Sequence, residues 1–175
     1  MQISQRVLGI QPSKTVELSV KIEELKKQGK DIIGLNVGEP DFPTPNFIKD
    51  GTIDAIKDNH TKYGHVSGLV TLREKIAENI SKDISCDNLK LSANNILISN
   101  GSKQIIYNIF QTICNPDDEV IVFKPYWVTF PESIKLAGGV PVFVDSKDNF
   151  QLDLEKFESA ITHKTKAVII NSPNN

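Results

Sequence analysis

The sequence predicts an α/β protein with a three-layer arrangement, in which helices cover both faces of a mostly parallel sheet. After Asn95, strand-like runs alternate with helix-like runs at the spacing of βαβ units. The strand-like runs are continuously apolar, as is typical of strands covered on both faces. These strands are NILIS, DEVIVFKP, VPVFVD and KAVIIN, and the helices between them are GSKQIIYNIFQTIC, WVTFPESIKLAG and DLEKFESAIT.

The elements before Asn95 are predicted to be mainly helical. TVELSVKIEELKKQG has apolar residues at roughly helical spacing and ends at Gly29, a typical stop signal. DIIGLNVG is predicted to be a short strand that runs into a loop. TPNFIKDGTIDAIKD is predicted to be a helix with Thr44 as its N-cap and Pro45 at its first position. SGLVTLREKIAENISKD is predicted to be an amphipathic helix whose apolar face comprises Leu69, Leu72, Ile76 and Ile80.

Composition excludes several classes of protein. The chain is 39% hydrophobic and 24% charged, with a formal net charge of −2, so it lacks the positive charge expected for nucleic-acid binding. No run of 18 apolar residues predicts a membrane span, and no secretory signal is recognised, so a cytoplasmic protein is expected. Cys86 and Cys114 are predicted to be unpaired thiols. The histidines have no ligand-like spacing, so no metal site is predicted.

Four loops are candidates for a functional site, because ligands of open α/β sheets bind at the carboxyl ends of strands. They are NVGEPDFPTP, SNGSKQ, KPYW and NSPNN. In the second, the amides of Gly101, Ser102 and Lys103 would start a helix, which favours an anion such as phosphate. A plain strand-to-helix turn with a serine cap is the alternative. The P-loop pattern G-x-x-x-x-G-K-[ST] is absent.

The other candidate residues each have a second interpretation. Trp127 follows a predicted strand and could stack on a flat ligand, or it could belong to the core. Gly38 permits close approach of the backbone to a ligand, but its proline-rich loop could also be a rigid connector. Tyr63 lies in a glycine-flanked loop, where packing or simple surface exposure is the alternative.

Taken together, these loops resemble those of the fold-type I, pyridoxal-phosphate-dependent class I and II aminotransferases, and most of all the bacterial aspartate aminotransferases. GEPDFPTP, TKY, GSKQ, KPYWVTFPE and NSPNN occur in the family's order from about Ile10 to Asn175. The resemblance implies an N-terminal arm or small-domain segment at residues 1–30. Residues 31–175 would be the first, incomplete part of the large domain that binds the cofactor.

The resemblance also implies a role for each candidate residue. Gly101, Ser102 and Lys103 would hold the phosphate of pyridoxal 5′-phosphate, and Trp127 would stack on its pyridine ring. Asn175 would donate a hydrogen bond to the phenolic oxygen of the cofactor.

The substrate side of the site is implied in the same way. The amide of Gly38 would bind the α-carboxylate of the substrate, and Trp127 and Asn175 would also line the substrate site. Lys103 could instead face the distal carboxylate of an acidic substrate. Tyr63 would reach the phosphate in the neighbouring subunit of a homodimer.

The function implied is transamination between an amino acid and a 2-oxo acid, with aspartate and 2-oxoglutarate as the expected pair. Relatives that accept prephenate tend to have a lysine where Gln11 stands. The glutamine therefore weakens the case for prephenate as a substrate. The family's Schiff-base lysine falls beyond Asn175, so no catalytic residue is predicted and the chain alone is expected to be inactive. The alternatives are a non-catalytic truncated fragment that binds phosphate or a partner chain, and an unrelated nucleotide-binding domain. The absence of G-x-G-x-x-G disfavours the nucleotide-binding domain.

Overall fold

The computed structural model describes residues 2–83 and 90–174, and the chain divides into two compact units. The first unit comprises Met1–Ile32 and Asn100–Asn175, and the second comprises Ile33–Ser99. The predicted division of domains at residue 30 stays a prediction. The helices in chain order are α1 (Gln5–Leu8), α2 (Lys14–Lys27), α3 (Asn46–Lys57), α4 (Val70–Asp83), α5 (Ser102–Ile113), α6 (Thr129–Leu136) and α7 (Leu154–Ser159).

The first unit is built on a parallel sheet of the strands β1 (Glu119–Lys124), β2 (Val140–Asp145) and β3 (Thr165–Ile169). The order is β2-β1-β3, so β1 is central, and its Val122 is paired with Phe143 of β2 and Ile169 of β3. Residues 120–122 of β1 are at most 1% exposed, because both sheet faces are covered there. The prediction of a mostly parallel α/β sheet is confirmed.

Helices lie on both faces of this sheet. On one face, Val120 and Val122 of β1 form a core cluster with Phe110 of α5 and with Phe130 and Ile134 of α6. Neighbouring residues of a strand point to opposite faces. Accordingly, Phe123 points away from that cluster and contacts Phe157 of α7, with ring centroids 5.6 Å apart. The predicted three-layer arrangement is therefore present in this unit.

Two features of the sequence explain where α6 begins and where α2 ends. Pro131 is the third residue of α6, where helical N–H groups have no intrahelical acceptor, so the proline removes no helical hydrogen bond. Gly29 follows α2 with φ of +78°. The N–H of Lys30 donates to the carbonyl of Leu25 (3.2 Å) and that of Gly29 to the carbonyl of Lys26 (3.0 Å), which is the Schellman termination of a helix.

The second unit is organised around a buried arginine. Arg73 of α4 is 5% exposed, and its Nε donates to the carbonyl of Gly68 (3.1 Å) while its Nη1 donates to that of Ala93 (2.8 Å). Ala93 begins a short 3₁₀ helix, Ala93–Asn95. The N–H of Ile98 donates to the carbonyl of Ser67 (3.0 Å). Arg73 thus joins the loop before α4 to the segment after it.

Two predicted strands are absent, and one helix boundary is shifted. Residues 31–38 and 95–99 form no strand, because an apolar run becomes a strand only where a neighbour pairs with its backbone. Within 31–38, Ile33 and Leu35 are 84% and 92% exposed. Within 95–99, Asn95 closes the 3₁₀ helix instead. Helix α3 begins at Asn46 with Pro45 as N-cap, one residue later than predicted.

The structure also bears on the predictions about cysteines, metal ligands and membrane-spanning helices. Cys114 is a half-buried free thiol whose pKa is raised by burial, whereas Cys86 lies outside the described residues. Within residues 2–83 and 90–174, no three histidine, cysteine, aspartate or glutamate side chains are grouped as a metal ion would require. In the same ranges, every helix is too short or too polar to cross a bilayer.

We predict a pH-dependent ion-pair cluster on the surface of α4. Lys82 and Lys75 donate hydrogen bonds to the Glu78 carboxylate, and they lower its pKa from 4.5 to about 2. Because the folded-state pKa is depressed, the stabilisation is fully present above pH 4.5 and is lost as the pH falls through about 2. An NMR titration of the Glu78 carboxyl checks the pKa. Glu78→Gln should remove this acid-dependent part of the stability, whereas Glu74→Gln in the same helix should retain it.

Candidate functional site

The start of α5 carries backbone amides that the helix itself does not use. Gly101 is the N-cap residue and has φ of +85°, a left-handed conformation that favours glycine. A Cβ added there would meet no atom of the described residues within 4 Å, so the backbone is open to a ligand. The first amides of a helix have no carbonyl one turn earlier, and the helix dipole makes this end positive. Ser102 and Lys103 are the first two helical residues.

A side chain one turn into α5 stabilises the loop before it. The N–H of Asn100 donates to Oε1 of Gln104 at 2.8 Å. This contact resembles a capping box, in which the third helical residue reaches back to the chain before the helix. This role of Gln104 is not among the predictions made from the sequence, although glutamine three residues after a cap is a known signal. The contact holds the turn that carries Gly101.

Lys103 and Trp127 lie close to each other. The Lys103 ammonium is 5.7 Å from the centroid of the Trp127 indole, within the range of a cation–π contact. The indole is half-buried and meets the ring of Phe130 edge-on at 5.6 Å, which fixes its orientation. Trp127 therefore packs against the core by one edge while part of its surface stays accessible. The core interpretation therefore holds for one edge of the indole, and stacking of its accessible surface on a flat ligand stays a prediction.

Lys103 and Trp127 line a cavity of about 740 Å³. This volume lies within the range of small-molecule sites. The walls come from the segment before α2 and the first turn of α2, from Asn100 and α5, and from α6 and the loop before it. Among the lining residues are Gln11, Lys14, Asn100, Tyr107, Tyr126 and Glu132. The cavity combines aromatic surface with ammonium and carboxylate groups, a composition that suits an amphoteric small molecule.

Two of the four candidate loops meet at the carboxyl end of the sheet. The Nδ2 group of Asn174, in the loop after β3, donates to the carbonyl of Pro125 in the loop after β1 at 3.0 Å. Tyr126 follows Pro125, and its ring stacks on Phe143 of β2 with centroids 4.9 Å apart. The candidate loops were expected to lie close together at the carboxyl ends of the strands, and the loops after β1 and β3 do so.

The predicted site residues fall into three groups. Gly101, Ser102, Lys103 and Trp127 belong to the first unit, and the structure places them around the start of α5 and its cavity. Gly38 and Tyr63 belong to the second unit. An added Cβ at Gly38 would meet no described atom within 4 Å, and Tyr63 is fully exposed. Asn175 lies outside the described residues.

Comparison with known proteins identifies extensive similarity. The family model described as "Aminotransferase class I and II" matches residues 30–175. The chain is 45% identical to an aspartate aminotransferase of Bacillus sp. (strain YM-2), over 99% of this chain and 44% of that protein. It is 46% identical to a probable aspartate/prephenate aminotransferase of Rickettsia conorii, over 99% of this chain and 43% of that protein.

Solved structures give the same result for the fold. An aspartate aminotransferase of Thermus thermophilus with maleate matches with a TM-score of 0.92 at 41% identity, over all of this chain and 46% of that one. The Thermotoga maritima aspartate aminotransferase matches with a TM-score of 0.91 at 42% identity, over 99% of this chain and 46% of that one. The chain thus spans less than half the length of the relatives it matches.

Proposed function

The chain belongs to the class I and II aminotransferases. We propose that the full-length protein, meaning a protein of the relatives' length that contains this chain, transfers an amino group between an amino acid and a 2-oxo acid. The observation that carries the proposal is the placement of Lys103 and Trp127 around one cavity at the start of α5. Helix-start amides, a cation and an aromatic face are the groups that a phosphorylated flat ring requires.

The residues present fit pyridoxal 5′-phosphate, the cofactor of this family. A phosphate group needs several hydrogen-bond donors. The open backbone at Gly101 leaves the amides at the start of α5 accessible to such a phosphate. A flat heteroaromatic ring needs an aromatic partner, which Trp127 supplies. When bound, the cofactor supplies an electron sink for negative charge at the α-carbon of the substrate.

In this proposal, residues of this chain bind and orient the cofactor. Gly101 and Ser102 hold the phosphate through backbone amides and the serine hydroxyl, and Lys103 adds its backbone amide. Trp127 covers one face of the ring and excludes water from it. Asn175 donates to the phenolic oxygen of the cofactor, a role that rests on the resemblance alone.

We propose aspartate and 2-oxoglutarate as the substrate pair. Lys103 lines the cavity and provides an ammonium for a second carboxylate. The amide of Gly38 is proposed to bind the α-carboxylate. Several of the similar proteins are aspartate aminotransferases, and one of their structures holds maleate, a dicarboxylate. Both observations support a dicarboxylic substrate over a neutral one.

A homodimer is also proposed. Tyr63 is fully exposed, so its hydroxyl is available to the cofactor phosphate of a neighbouring subunit. The cytoplasmic location and the absence of nucleic-acid and membrane partners stay predictions. The non-catalytic alternative, a fragment that binds phosphate or a partner chain, also predicts an anion at α5, but it predicts no amino transfer.

We expect the full-length protein to convert aspartate and 2-oxoglutarate to oxaloacetate and glutamate, and to require pyridoxal 5′-phosphate for this reaction. The measurement is the initial rate of oxaloacetate formation with and without added cofactor. Prephenate with glutamate serves as a second substrate pair, and we expect a lower kcat/KM for it because Gln11 occupies the lysine position. Absence of transfer from every amino acid tested, at saturating cofactor, would favour the non-catalytic alternative.

A further inference from the structure

A carboxylate in the cavity fastens the N-terminal wall to α6. The backbone N–H of Gln11 donates to Oε2 of Glu132 at 3.1 Å, across 121 positions of sequence. Residues 11–16 line the cavity together with Glu132. The hydrogen bond therefore joins two walls of the space in which Lys103 and Trp127 are accessible.

The Glu132 side chain is itself held in place. Its other oxygen, Oε1, accepts a hydrogen bond from Nζ of Lys135 at 2.9 Å, and the Glu132 side chain is only 23% exposed. Both carboxylate oxygens are thus engaged, which restricts the rotamer. A hydrogen bond to a charged acceptor is stronger than one to a neutral acceptor.

The turn of α6 that carries Glu132 also carries the aromatic wall. The carbonyl of Trp127 accepts the N–H of Phe130 at 3.0 Å, and the two rings meet edge-on. Glu132 lies two residues after Phe130, in the first turn of the helix. One short, well-packed piece of chain therefore fixes both the indole and the point where the N-terminal segment is attached.

Pro12, the residue after Gln11, extends the effect of this hydrogen bond to the chain that follows it. Pro12 has a fixed φ, and a proline also restricts the residue before it to extended backbone. Fixing the amide of Gln11 consequently fixes the direction of the chain through Ser13 to the start of α2 at Lys14. A loose Gln11 would let this whole wall move away from the cavity.

We infer that Glu132 is a positioning residue, whose carboxylate holds Gln11 and so sets the width of the cavity that receives the substrate. The inference rests on the proposed function, since the substrate is the amino acid of the transamination. Glu132 acts through the N-terminal segment. Its loss should therefore weaken substrate binding and leave the chemical step nearly unchanged.

The test compares Glu132→Ala, Glu132→Gln and Lys135→Ala in the full-length protein with bound cofactor. Glu132→Ala should raise KM for aspartate about tenfold and change kcat by less than about twofold. Glu132→Gln keeps an acceptor oxygen and should restore most of the loss. Lys135→Ala keeps the bond from Gln11 but frees the second oxygen of Glu132, so its rise in KM should be smaller than that of Glu132→Ala. Backbone hydrogen exchange at Gln11 should become fastest in Glu132→Ala.

Unchanged exchange at Gln11 in Glu132→Ala, or a fall in kcat with unchanged KM, would overturn the inference. If Glu132→Ala fails to fold, Glu132→Asp shortens the side chain by one methylene and should give the same rise in KM and exchange. A wild type without transaminase activity would overturn the proposed function. Hydrogen exchange at Gln11, compared between Glu132→Ala and wild type, would then decide by itself whether Glu132 holds the N-terminal segment.

Discussion

Lys103→Ala in the full-length protein should lower kcat/KM for aspartate by about 10²–10³, equivalent to roughly 2–4 kcal/mol of transition-state binding. The ammonium lies at the first turn of α5 and lines the cavity, 5.7 Å from the centroid of the Trp127 ring. Removing it would leave the distal carboxylate of the substrate without a charged partner. An aromatic amino acid has no distal carboxylate, so its kcat/KM should change by less than about threefold.

The aromatic substrate separates two roles of the same ammonium. If Lys103 serves the cofactor phosphate instead, the variant should lose activity on both substrates equally, and excess pyridoxal 5′-phosphate should restore it. We favour the substrate role, because backbone amides at a helix start can already satisfy a phosphate. Lys164→Ala is the matched control, since Lys164 is an exposed lysine in the turn before β3 and does not line the cavity.

Gly68→Ala should destabilise the second unit by roughly 2–4 kcal/mol, from overpacking and from left-handed strain. Gly68 has φ of +97°, and a Cβ there would lie 2.7 Å from Cβ of Ile98. Because a Cβ is fixed to the backbone, neither atom can rotate away. The shift would also disturb the carbonyl of Gly68 that accepts the Arg73 hydrogen bond.

Urea unfolding and hydrogen exchange at residues 67–73 measure this effect. Gly64→Ala is the matched control in the same loop, because a Cβ at Gly64 would meet no described atom within 4 Å and its φ lies outside the left-handed region. Equal unfolding midpoints for the two variants would show that the contact between Gly68 and Ile98 relaxes without cost.

The strands of the first unit could be predicted from sequence because their signal is local and redundant. Residues 120–122 are apolar and follow a turn, and the same holds for β2 and β3. The strands predicted at 31–38 and 95–99 had a similar local signal. They are absent because a strand also needs a partner backbone, which composition does not encode.

Helix α4 shows a second limit. Its predicted apolar face includes Leu69 and Leu72, yet these are 66% and 46% exposed, whereas Arg73 and Ala77 are buried. Arg73 is buried because its guanidinium satisfies two backbone carbonyls, at Gly68 and Ala93. The periodicity of apolar residues shows which residues share a face of a helix. It does not show that a charged residue on another face will be buried with hydrogen-bond acceptors.

The candidate site was predictable where it lies on single loops. Gly101–Lys103 and Trp127 each follow an apolar run, and the resemblance to the aminotransferases supplied their proposed roles. The contact between Gln11 and Glu132 was not predictable, because it joins residues 121 positions apart and gives no local pattern. From the sequence, Gln11 bears only on substrate specificity, and Glu132 occurs only as the last residue of the KPYWVTFPE motif.

We propose above all that the start of α5 and Trp127 form the cofactor site. A crystal structure of the full-length protein with pyridoxal 5′-phosphate tests it most directly. We expect the phosphate within hydrogen-bond distance, about 2.7–3.2 Å, of the amides at Gly101–Lys103, and the ring stacked on the Trp127 indole. A phosphate bound elsewhere, with the indole contacting only protein, would contradict the claim.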